Sequence, residues 1–324
     1  MADRRRALPP QAPRAWYERF RDFLIEKGFK IGQVDTTLFI KKMDDDLFVC
    51  QVYVYDIIFG STNEEYCKEF GKMMAKEFEM SMICELTFFL GNLNKGHLSI
   101  KKCTQEIYSK DSRWMIASQL TPPMSTNTKL DIDESGIKVD QTLYRFMIAD
   151  PKETHLSAVK RILRYLKHTP SIGLWYPKGV SFELLGYSDS DFAGRQVERK
   201  STSGGCYLLG RSLVSWLSKK QKCVSLSTAE AEYIAAGFCC AQILYIKQML
   251  LDYGVKLSRV PLLCDNKRDI RHHFIRDHIA KGDIQLRKVG TKEQLVDTFT
   301  KHLDESTFHR LRSELNVLDA RSIM

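Results

Sequence analysis

The sequence predicts a two-domain protein whose second domain has an α/β fold built on a mixed sheet. Its 324 residues are enough for two ordinary domains, each with a core of its own. In the second half, three strand patterns are joined by glycine-containing turns, and helix and strand patterns alternate after them. Successive strands pair antiparallel and strands separated by helices pair parallel, so we expect one mixed sheet with helices.

The composition is typical of a soluble globular protein, with an excess of basic residues. Hydrophobic residues make up 44% and charged residues 27% of the chain. The net charge of +9 favours polyanionic partners, and nucleic acid first among them. We expect no membrane partner, because the longest uncharged run in a helical pattern, Tyr233 to Ile246, is too short to cross a bilayer.

The cysteines and the first residues favour an intracellular location. The chain has nine cysteines and no Cys-x-x-Cys pair, which fits reduced thiols better than a disulfide framework. The start, MADRRRALPP, has basic residues but no apolar segment behind them, so we expect no secretion signal. The sequence does not distinguish cytoplasm from nucleus and does not predict an oligomeric state.

The first half begins with a helix and a β-hairpin. Pro13 opens the helix, whose apolar residues recur at helical spacing, and Gly28 can end it. The strand patterns Thr37–Lys41 and Leu47–Val54 flank three aspartates, which we interpret as a solvated hairpin turn. The segment Ser61-Thr62-Asn63-Glu64 resembles a capping box and predicts a second helix. Further strand patterns follow at Phe88–Leu93 and Leu98–Lys101.

An aperiodic stretch and a basic helix separate the two halves. Residues 121–140 lack periodicity and predict a linker. Residues 152–168 predict an amphipathic helix with a leucine-rich seam. Its other positions are basic, and in a chain of this charge such a face either is simply solvated or follows phosphates. These basic residues are Lys160, Arg161, Arg164 and Lys167.

The elements of the second half follow one another closely. Its first three strands are predicted at Phe182–Tyr187, Cys206–Leu209 and Leu213–Leu217. The later elements are a helix at Thr228–Leu251, a strand at Val260–Cys264, a helix near Arg268–Lys281, a strand at Ile284–Val289 and a last helix from Thr291.

Four acidic residues of the second half could converge on one site. Asp189 follows the first strand and Asp265 the fourth, and ligands of open α/β sheets bind at such carboxyl ends. On the long helix, Glu232 shares the most apolar face, whereas Glu230 lies about 200° away around the axis. Glu232 therefore points toward the sheet, and Asp297 on the last helix could complete the set.

Carboxylates without thiolates suit the hard ions Mg²⁺ or Mn²⁺. Two such ions about 3.5–4 Å apart can activate a water and stabilise the leaving oxygen of a phosphodiester. Acids at strand ends are also common in proteins without such a site, so their spacing alone leaves both interpretations open. A zinc site is an alternative whose residues fit no common finger spacing. Those residues are Cys264, His272, His273 and His278.

At this point the chain resembles a known family. The stretch GYSDSDFAG…RKSTSGGCYLLGRSLVSWLSKKQKCVSLSTAEAEYIAA is similar to the ribonuclease H domain of copia-type retrotransposon Pol polyproteins, and CDN, IRHHFIRDHIAKGDI and EQLVDTFTKHL continue the match. QAPRAWYERF, DTTLFIKK, YDIIFGSTN and FFLGNL resemble the later part of the reverse transcriptase. VDQTLYR and HLSAVKRILRYLKHT…GLWYPKG resemble the region that connects them. The resemblance runs from about Pro10 to the C-terminus.

The resemblance implies an α+β palm remnant of a reverse transcriptase followed by an α/β ribonuclease H-like domain. It implies that two Mg²⁺ or Mn²⁺ ions are held by Asp189, Glu232, Asp265 and Asp297 and that the partner is an RNA/DNA hybrid, whose RNA strand is cleaved. Strand choice would depend partly on the 2′-hydroxyl. The implied domains are a non-family leader at 1–9, the palm remnant at 10–120, a linker and connection with the basic helix at 121–179, the ribonuclease H-like domain at 180–312 and a tail at 313–324.

The polymerase site departs from the family pattern. Where that pattern is Tyr-Val-Asp-Asp, this chain has Tyr53-Val54-Tyr55-Asp56. A phenol with a pKa near 10 is a poor substitute for a carboxylate ligand at neutral pH. The family's third acid comes from a region before QAPRAWY that this sequence does not contain. We therefore interpret Asp56 as a remnant and expect no RNA-directed DNA polymerase activity.

Two shortened stretches leave two functions open. The chain omits family segments near 148–150 and 266–269, and the second omission affects the placement of Asp265 and Asp297. The first hypothesis is a ribonuclease H-type endonuclease attached to an inactive polymerase remnant. The alternative is a non-catalytic product of a decayed element that at most binds nucleic acid.

Overall fold

The computed structural model describes residues 12–53, 56–78, 80, 91–93, 96–100, 122–124, 136–137, 152–177, 179–194, 198–265 and 273–323. The chain forms two compact units. The first comprises residues 1–84 and 245–257, and the second comprises residues 85–244 and 258–324. The predicted linker at 121–140 lies largely outside the described residues. The domain boundaries given above stay predictions.

The first unit is an antiparallel four-stranded sheet with two helices. The sheet has the strand order β1-β2-β3-β4, and every neighbouring pair is antiparallel. This separation of helices from an antiparallel sheet confirms the predicted α+β class. The elements are α1 (Ala12–Glu26), β1 (Lys30–Ile31), β2 (Leu38–Met43), β3 (Asp46–Tyr53), β4 (Asp56–Ser61) and α2 (Glu64–Glu77).

Aromatic side chains form the core of the first unit. Phe20 of α1 is fully buried and meets Phe39 of β2 edge to face, with 5.8 Å between the ring centroids. Phe48 of β3 packs against Phe70 of α2 at 4.8 Å. Gly28 ends α1 with a φ of +84°, a conformation that glycine adopts without steric cost. The predicted apolar face and end of this helix are confirmed.

The predicted hairpin turn between β2 and β3 is confirmed, whereas the predicted cap of α2 is wrong. Met43 pairs with Asp46, so the aspartates lie in the predicted hairpin turn. The predicted capping box is wrong, because β4 continues to Ser61 and keeps that residue extended. Asn63 caps α2 instead, and its Oδ1 accepts a hydrogen bond from the Glu65 N–H at 3.1 Å.

The second unit contains a mixed five-stranded sheet with the order β10-β9-β8-β11-β12. Strands β10, β9 and β8 pair antiparallel, whereas β11 pairs parallel with both β8 and β12. This arrangement confirms the predicted α/β class with a mixed sheet. The elements of this sheet and its helices are β8 (Leu184–Asp191), β9 (Thr202–Leu209), β10 (Ser212–Lys220), α4 (Thr228–Asp252), β11 (Val260–Cys264), α5 (His273–Ala280), β12 (Ile284–Lys288), α6 (Asp297–Thr300) and α7 (Glu305–Glu314). The part of α4 from Tyr245 onward belongs to the first unit.

A second sheet of the same unit has the order β13-β7-β6-β5. Its strand β13 lies within the residues that the sequence analysis set apart as a tail, and it pairs antiparallel with β7. The Trp175 N–H donates to the Asn316 carbonyl at 2.8 Å, which attaches this end of the chain to β7. The elements are β5 (Gly91–Leu93), β6 (Gly96–Ile100), α3 (Glu153–His168), β7 (Ile172–Pro177) and β13 (Val317–Asp319).

Two adjacent glycines in β9 let helices approach both faces of the mixed sheet. A Cβ atom at Gly204 would overlap Thr300 and Val296, which belong to the segment of α6. A Cβ atom at Gly205 would lie 2.7 Å from Cys239 Sγ of α4. Because successive residues of a strand point to opposite faces, α6 and α4 cover opposite faces of the sheet.

The prediction of one continuous helix from Thr291 is wrong. Instead of one helix from Thr291, the structure has a 3-10 turn at Thr291–Glu293, then α6 and, after a break, α7. Gln294, Leu295 and Val296 are consecutive and all buried, a pattern that a helix on the surface of a sheet does not satisfy. Asp304 starts α7 as its cap by accepting the Thr307 N–H at 3.0 Å.

Some predicted bounds agree closely with the structure, whereas two strands are displaced. Strand β8 continues four residues beyond its predicted end, so that Asp189 lies within it, and β9 begins four residues earlier than predicted. Strand β11 has the predicted limits, and α4 ends one residue later than expected. Helix α5 covers the later part of the predicted helix near 268–281, and residues 266–272 are outside the described residues.

Among the described helices, α4 is long and apolar enough to cross a membrane by length and composition alone. It is longer than the uncharged run Tyr233 to Ile246 that it contains. Core helices of soluble proteins share these properties, and Ala235, Cys239 and Ile243 of α4 are buried within the protein. The expected absence of a membrane partner stays a prediction.

We predict that Gly204→Ala lowers the free energy of unfolding by about 1–3 kcal/mol, because the new methyl group forces α6 away from β9. Gly237→Ala is the matched control. Gly237 lies within α4, where nothing is within 4 Å of the added Cβ, and this change should stabilise the protein by about 0.5–1 kcal/mol. Urea unfolding measures both, and equal effects of the two substitutions would contradict the proposed close approach of α6.

Candidate functional site

Three of the four predicted acids come together at one edge of the mixed sheet. Asp189 lies near the end of β8, and Asp265 directly follows β11. Because Cys264 pairs with Ser188 in the parallel register, the two acids emerge side by side at the carboxyl ends of their strands. Asp297 begins α6, which covers this edge.

Asp189 is buried and held by two side chains of the α6 segment. It is 4% exposed, and the Thr300 hydroxyl donates a hydrogen bond to its Oδ2 at 2.7 Å. The Lys301 ammonium lies 3.2 Å from the same oxygen. Lys301 Nζ also donates to Asp297 Oδ1 at 2.8 Å, so a single ammonium joins the carboxylates of β8 and α6.

Asp265 is held by a buried amide. The Gln294 side chain is fully buried, and its Nε2 donates to Asp265 Oδ1 at 2.7 Å and to the Ser188 carbonyl at 3.0 Å. The amide therefore connects the residue after β11 with the backbone of β8. Gln294 can reach both because it lies in the extended break before α6.

The acids share one electrostatic environment. Burial raises the pKa of the Asp265 carboxyl above its ordinary value, and the charge of Asp189 adds to this, whereas Gln294 and Lys301 oppose it. Burial also raises the pKa of Asp297, against the opposing effect of Lys301. Burial lowers the pKa of Lys301, but its contacts with Asp297 and Asp189 outweigh this and raise it to about 12. The cluster is thus a region of buried negative charge that attracts a cation.

Glu232 belongs to the helix on the opposite face of the sheet. Glu230 is exposed and accepts the Leu226 N–H at 2.6 Å, whereas Glu232 is half-buried and its Oε2 is inaccessible to solvent. This difference agrees with the predicted orientation of the helix. The Ala231 carbonyl accepts a hydrogen bond from Gln221 Nε2 at 2.9 Å, and the same Nε2 donates to Ser203 of β9.

The donor chemistry fits a hard divalent ion, since the acids offer carboxylate oxygens in a region of unbalanced negative charge. Folds of the ribonuclease H and reverse-transcriptase types generally use divalent metal ions. In the described part of the chain, no three acidic, histidine or cysteine side chains already meet as a metal-binding group. The Lys301 ammonium contacts both Asp189 and Asp297, so an ion held by these carboxylates would meet a positive charge that is already present.

The residues of the polymerase remnant and of the zinc alternative lie elsewhere. Asp56 opens β4, is exposed and pairs with Tyr53, whereas Tyr55 lies outside the described residues. The His278 Nδ1 is 2.8 Å from Asp283 Oδ2, and Cys264 is buried in β11. His273 contacts Arg276, and His272 is outside the described residues.

Sequence reasoning missed three residues that hold the acids: Gln294, Thr300 and Lys301. One signal was present, because Lys301 follows Asp297 by four residues, the spacing at which a helix brings side chains together. Gln294 and Thr300 gave no such signal, since their partners Asp265 and Asp189 are 29 and 111 residues away.

Comparison with known proteins identifies a matching family model and similar polyproteins. Residues 9–113 match the family model described as reverse transcriptase (RNA-dependent DNA polymerase). The chain is 31% identical over 354 residues to the retrovirus-related Pol polyprotein from transposon RE1 of Arabidopsis thaliana, and 31% identical over 356 residues to that from transposon RE2. Each match covers 95% of this chain and 24% of the relative.

Over nearly its whole length the chain is therefore similar to copia-type Pol polyproteins, and its first part matches reverse transcriptases. It spans about a quarter of the length of the relatives it matches. Among solved structures, it is similar to an N-terminal RNase H domain from Mycobacterium tuberculosis, with 10% identity and a TM-score of 0.27. That match covers 41% of this chain and 98% of the other.

We predict that Gln294→Leu lowers the free energy of unfolding by about 1–3 kcal/mol, because Asp265 and the Ser188 carbonyl both lose a buried donor. The control is Gln285→Leu on β12, where the glutamine contacts an exposed arginine and the change should stay within about 0.5 kcal/mol. Both are measured by urea unfolding. A cost for Gln294→Leu no larger than that of the control would contradict the role assigned to this amide.

Proposed function

We propose that the second unit is a ribonuclease H-type endonuclease that cleaves the RNA strand of RNA/DNA hybrids in a metal-dependent reaction. The observation that carries this proposal is the convergence of Asp189, Asp265 and Asp297 from three separate elements at one buried edge of the sheet. The similarity of the chain to retrovirus-related Pol polyproteins supports the reaction class.

Two Mg²⁺ or Mn²⁺ ions would be held by the carboxylates of Asp189, Glu232, Asp265 and Asp297. When bound, two such ions supply an activated water and stabilise the leaving oxygen of the phosphodiester. Thr300 orients Asp189 by donating to its Oδ2, and Gln294 orients Asp265 in the same way. Both contacts fix carboxylate directions in advance, which matters because an error of 1 Å in such a site can cost about two orders of magnitude in rate.

Nucleic acid is the partner that the charge of the chain favours. The net charge is +9, and α3 carries a basic face whose residues are half-buried or exposed. Arg161 on this face donates to the Pro122 carbonyl at 2.7 Å, and Arg164 donates to the Lys160 carbonyl at 3.3 Å. We infer that hybrid affinity falls steeply with salt concentration, as counterion release requires.

We predict that Glu232→Gln reduces cleavage of a labelled RNA/DNA hybrid at least about a hundredfold, because a neutral amide is a weak ligand for a hard ion. Glu230→Gln is the matched control on the same helix turn, and since Glu230 is exposed it should retain the wild-type rate. The assay is run in Mg²⁺ and in Mn²⁺, with Asp189→Asn as a second inactive variant. Equal rates for the two glutamate variants would contradict the assignment of Glu232.

We infer that the first unit does not add nucleotides. Asp56 is exposed on β4, and the residue before it in the sequence is Tyr55, where the family pattern has an acid. Primer extension on an RNA template should therefore give no product with the protein that cleaves hybrids. Extension that Asp56→Asn abolishes would contradict this inference.

A non-catalytic nucleic-acid binder is the second candidate, and one observation favours it. Lys301 contacts both Asp189 and Asp297, so one positive charge of the protein already compensates part of the negative charge of these two acids. This candidate predicts salt-dependent hybrid binding without cleavage by a protein that unfolds cooperatively. The hybrid assay distinguishes the two, provided that folding is checked by circular dichroism in the same preparation.

A further inference from the structure

We propose that Lys301 is a built-in counter-ion of the acid cluster, which a divalent ion must displace, and that it sets the metal concentration at which the site fills. The proposal rests on the proposed function, because it concerns the same carboxylates. It assigns a specific role to a residue that the family resemblance did not single out.

The position of the ammonium carries the argument. Lys301 Nζ lies 2.8 Å from Asp297 Oδ1 and 3.2 Å from Asp189 Oδ2, so it bridges the two carboxylates. Its backbone is fixed as well, since the Lys301 N–H ends α6 by donating to the Asp297 carbonyl at 3.0 Å. The backbone N–H and the ammonium of Lys301 thus both contact Asp297.

Burial distinguishes this contact from ordinary ion pairs at the surface. The Asp189 side chain is 3% exposed and that of Asp297 is 11% exposed, whereas in the pair Arg310–Glu314 both side chains are more than 40% exposed. Exposed pairs contribute little, but buried carboxylates require a compensating cation. Either an ammonium or a divalent ion can compensate them, and the two compete for one place.

The surroundings allow the exchange. The Lys301 side chain is 34% exposed, so its flexible stem can move its ammonium into solvent. The Thr300 hydroxyl can keep its hydrogen bond to Asp189 Oδ2 when the ammonium leaves, because a carboxylate oxygen accepts more than one partner. The charge near Asp265 includes a second lysine, Lys288, which is exposed at the end of β12.

The test is a calorimetric titration of the whole chain with Mn²⁺ alone, without nucleic acid. Lys301→Met removes the charge and keeps the length of the side chain, and it should lower the half-saturating Mn²⁺ concentration at least about tenfold. Lys301→Arg keeps the charge and should bind no more tightly than the wild type. Lys288→Met removes an exposed positive charge near the same site and should change the affinity by less than about twofold.

An increase in affinity is the decisive readout, because a merely structural lysine would leave metal affinity unchanged or reduce it on removal. Unchanged or weaker Mn²⁺ binding by Lys301→Met, or no binding by any variant, overturns the proposal. If Lys301→Met does not fold, Lys301→Gln is measured in its place with the same expectation. Tighter binding without hybrid cleavage would reject the proposed function alone, and cleavage with unchanged binding would reject this proposal alone.

Discussion

The arrangement of the mixed sheet's edge depends on how one buried carboxylate, Asp189, is compensated. Asp189 lies within the mixed sheet, where an ionised carboxylate is unfavourable unless donors and a cation surround it. Thr300 supplies a hydroxyl and Lys301 an ammonium, and both come from the segment of α6. The segment can approach only because Gly204 has no side chain at the point of contact. The site and the packing of the sheet thus depend on each other.

One short stretch of chain reaches all three acids of the cluster. Residues 294–301 provide Gln294 for Asp265, Asp297 itself, and Thr300 and Lys301 for Asp189. The stretch is not one continuous helix. Gln294 lies in an extended segment and contacts both Asp265 and the Ser188 carbonyl, and α6 then begins at Asp297.

The sequence predicted the parts of this arrangement that depend on local pattern. The limits of β11, the extent of α4 and the burial difference between Glu230 and Glu232 follow from periodicity and turn residues. The break before α6, the pairing of β7 with β13 and the contacts of Gln294 did not follow from it. These depend on partners far away in the chain, and a helical pattern such as that after Thr291 is overridden when consecutive side chains are buried. The acids themselves were found from strand ends together with a family resemblance.

The most direct test of whether the Asp189 carboxylate depends on Lys301 is a double-mutant cycle between these two residues in metal-free protein. The free energies of unfolding of the wild type, Asp189→Asn, Lys301→Met and the double variant are obtained by urea denaturation. If the buried carboxylate depends on the ammonium, the double variant loses about 1–3 kcal/mol less than the sum of the single losses. Losses that add within about 0.5 kcal/mol would show that the two residues act independently and would contradict the central role given to this contact.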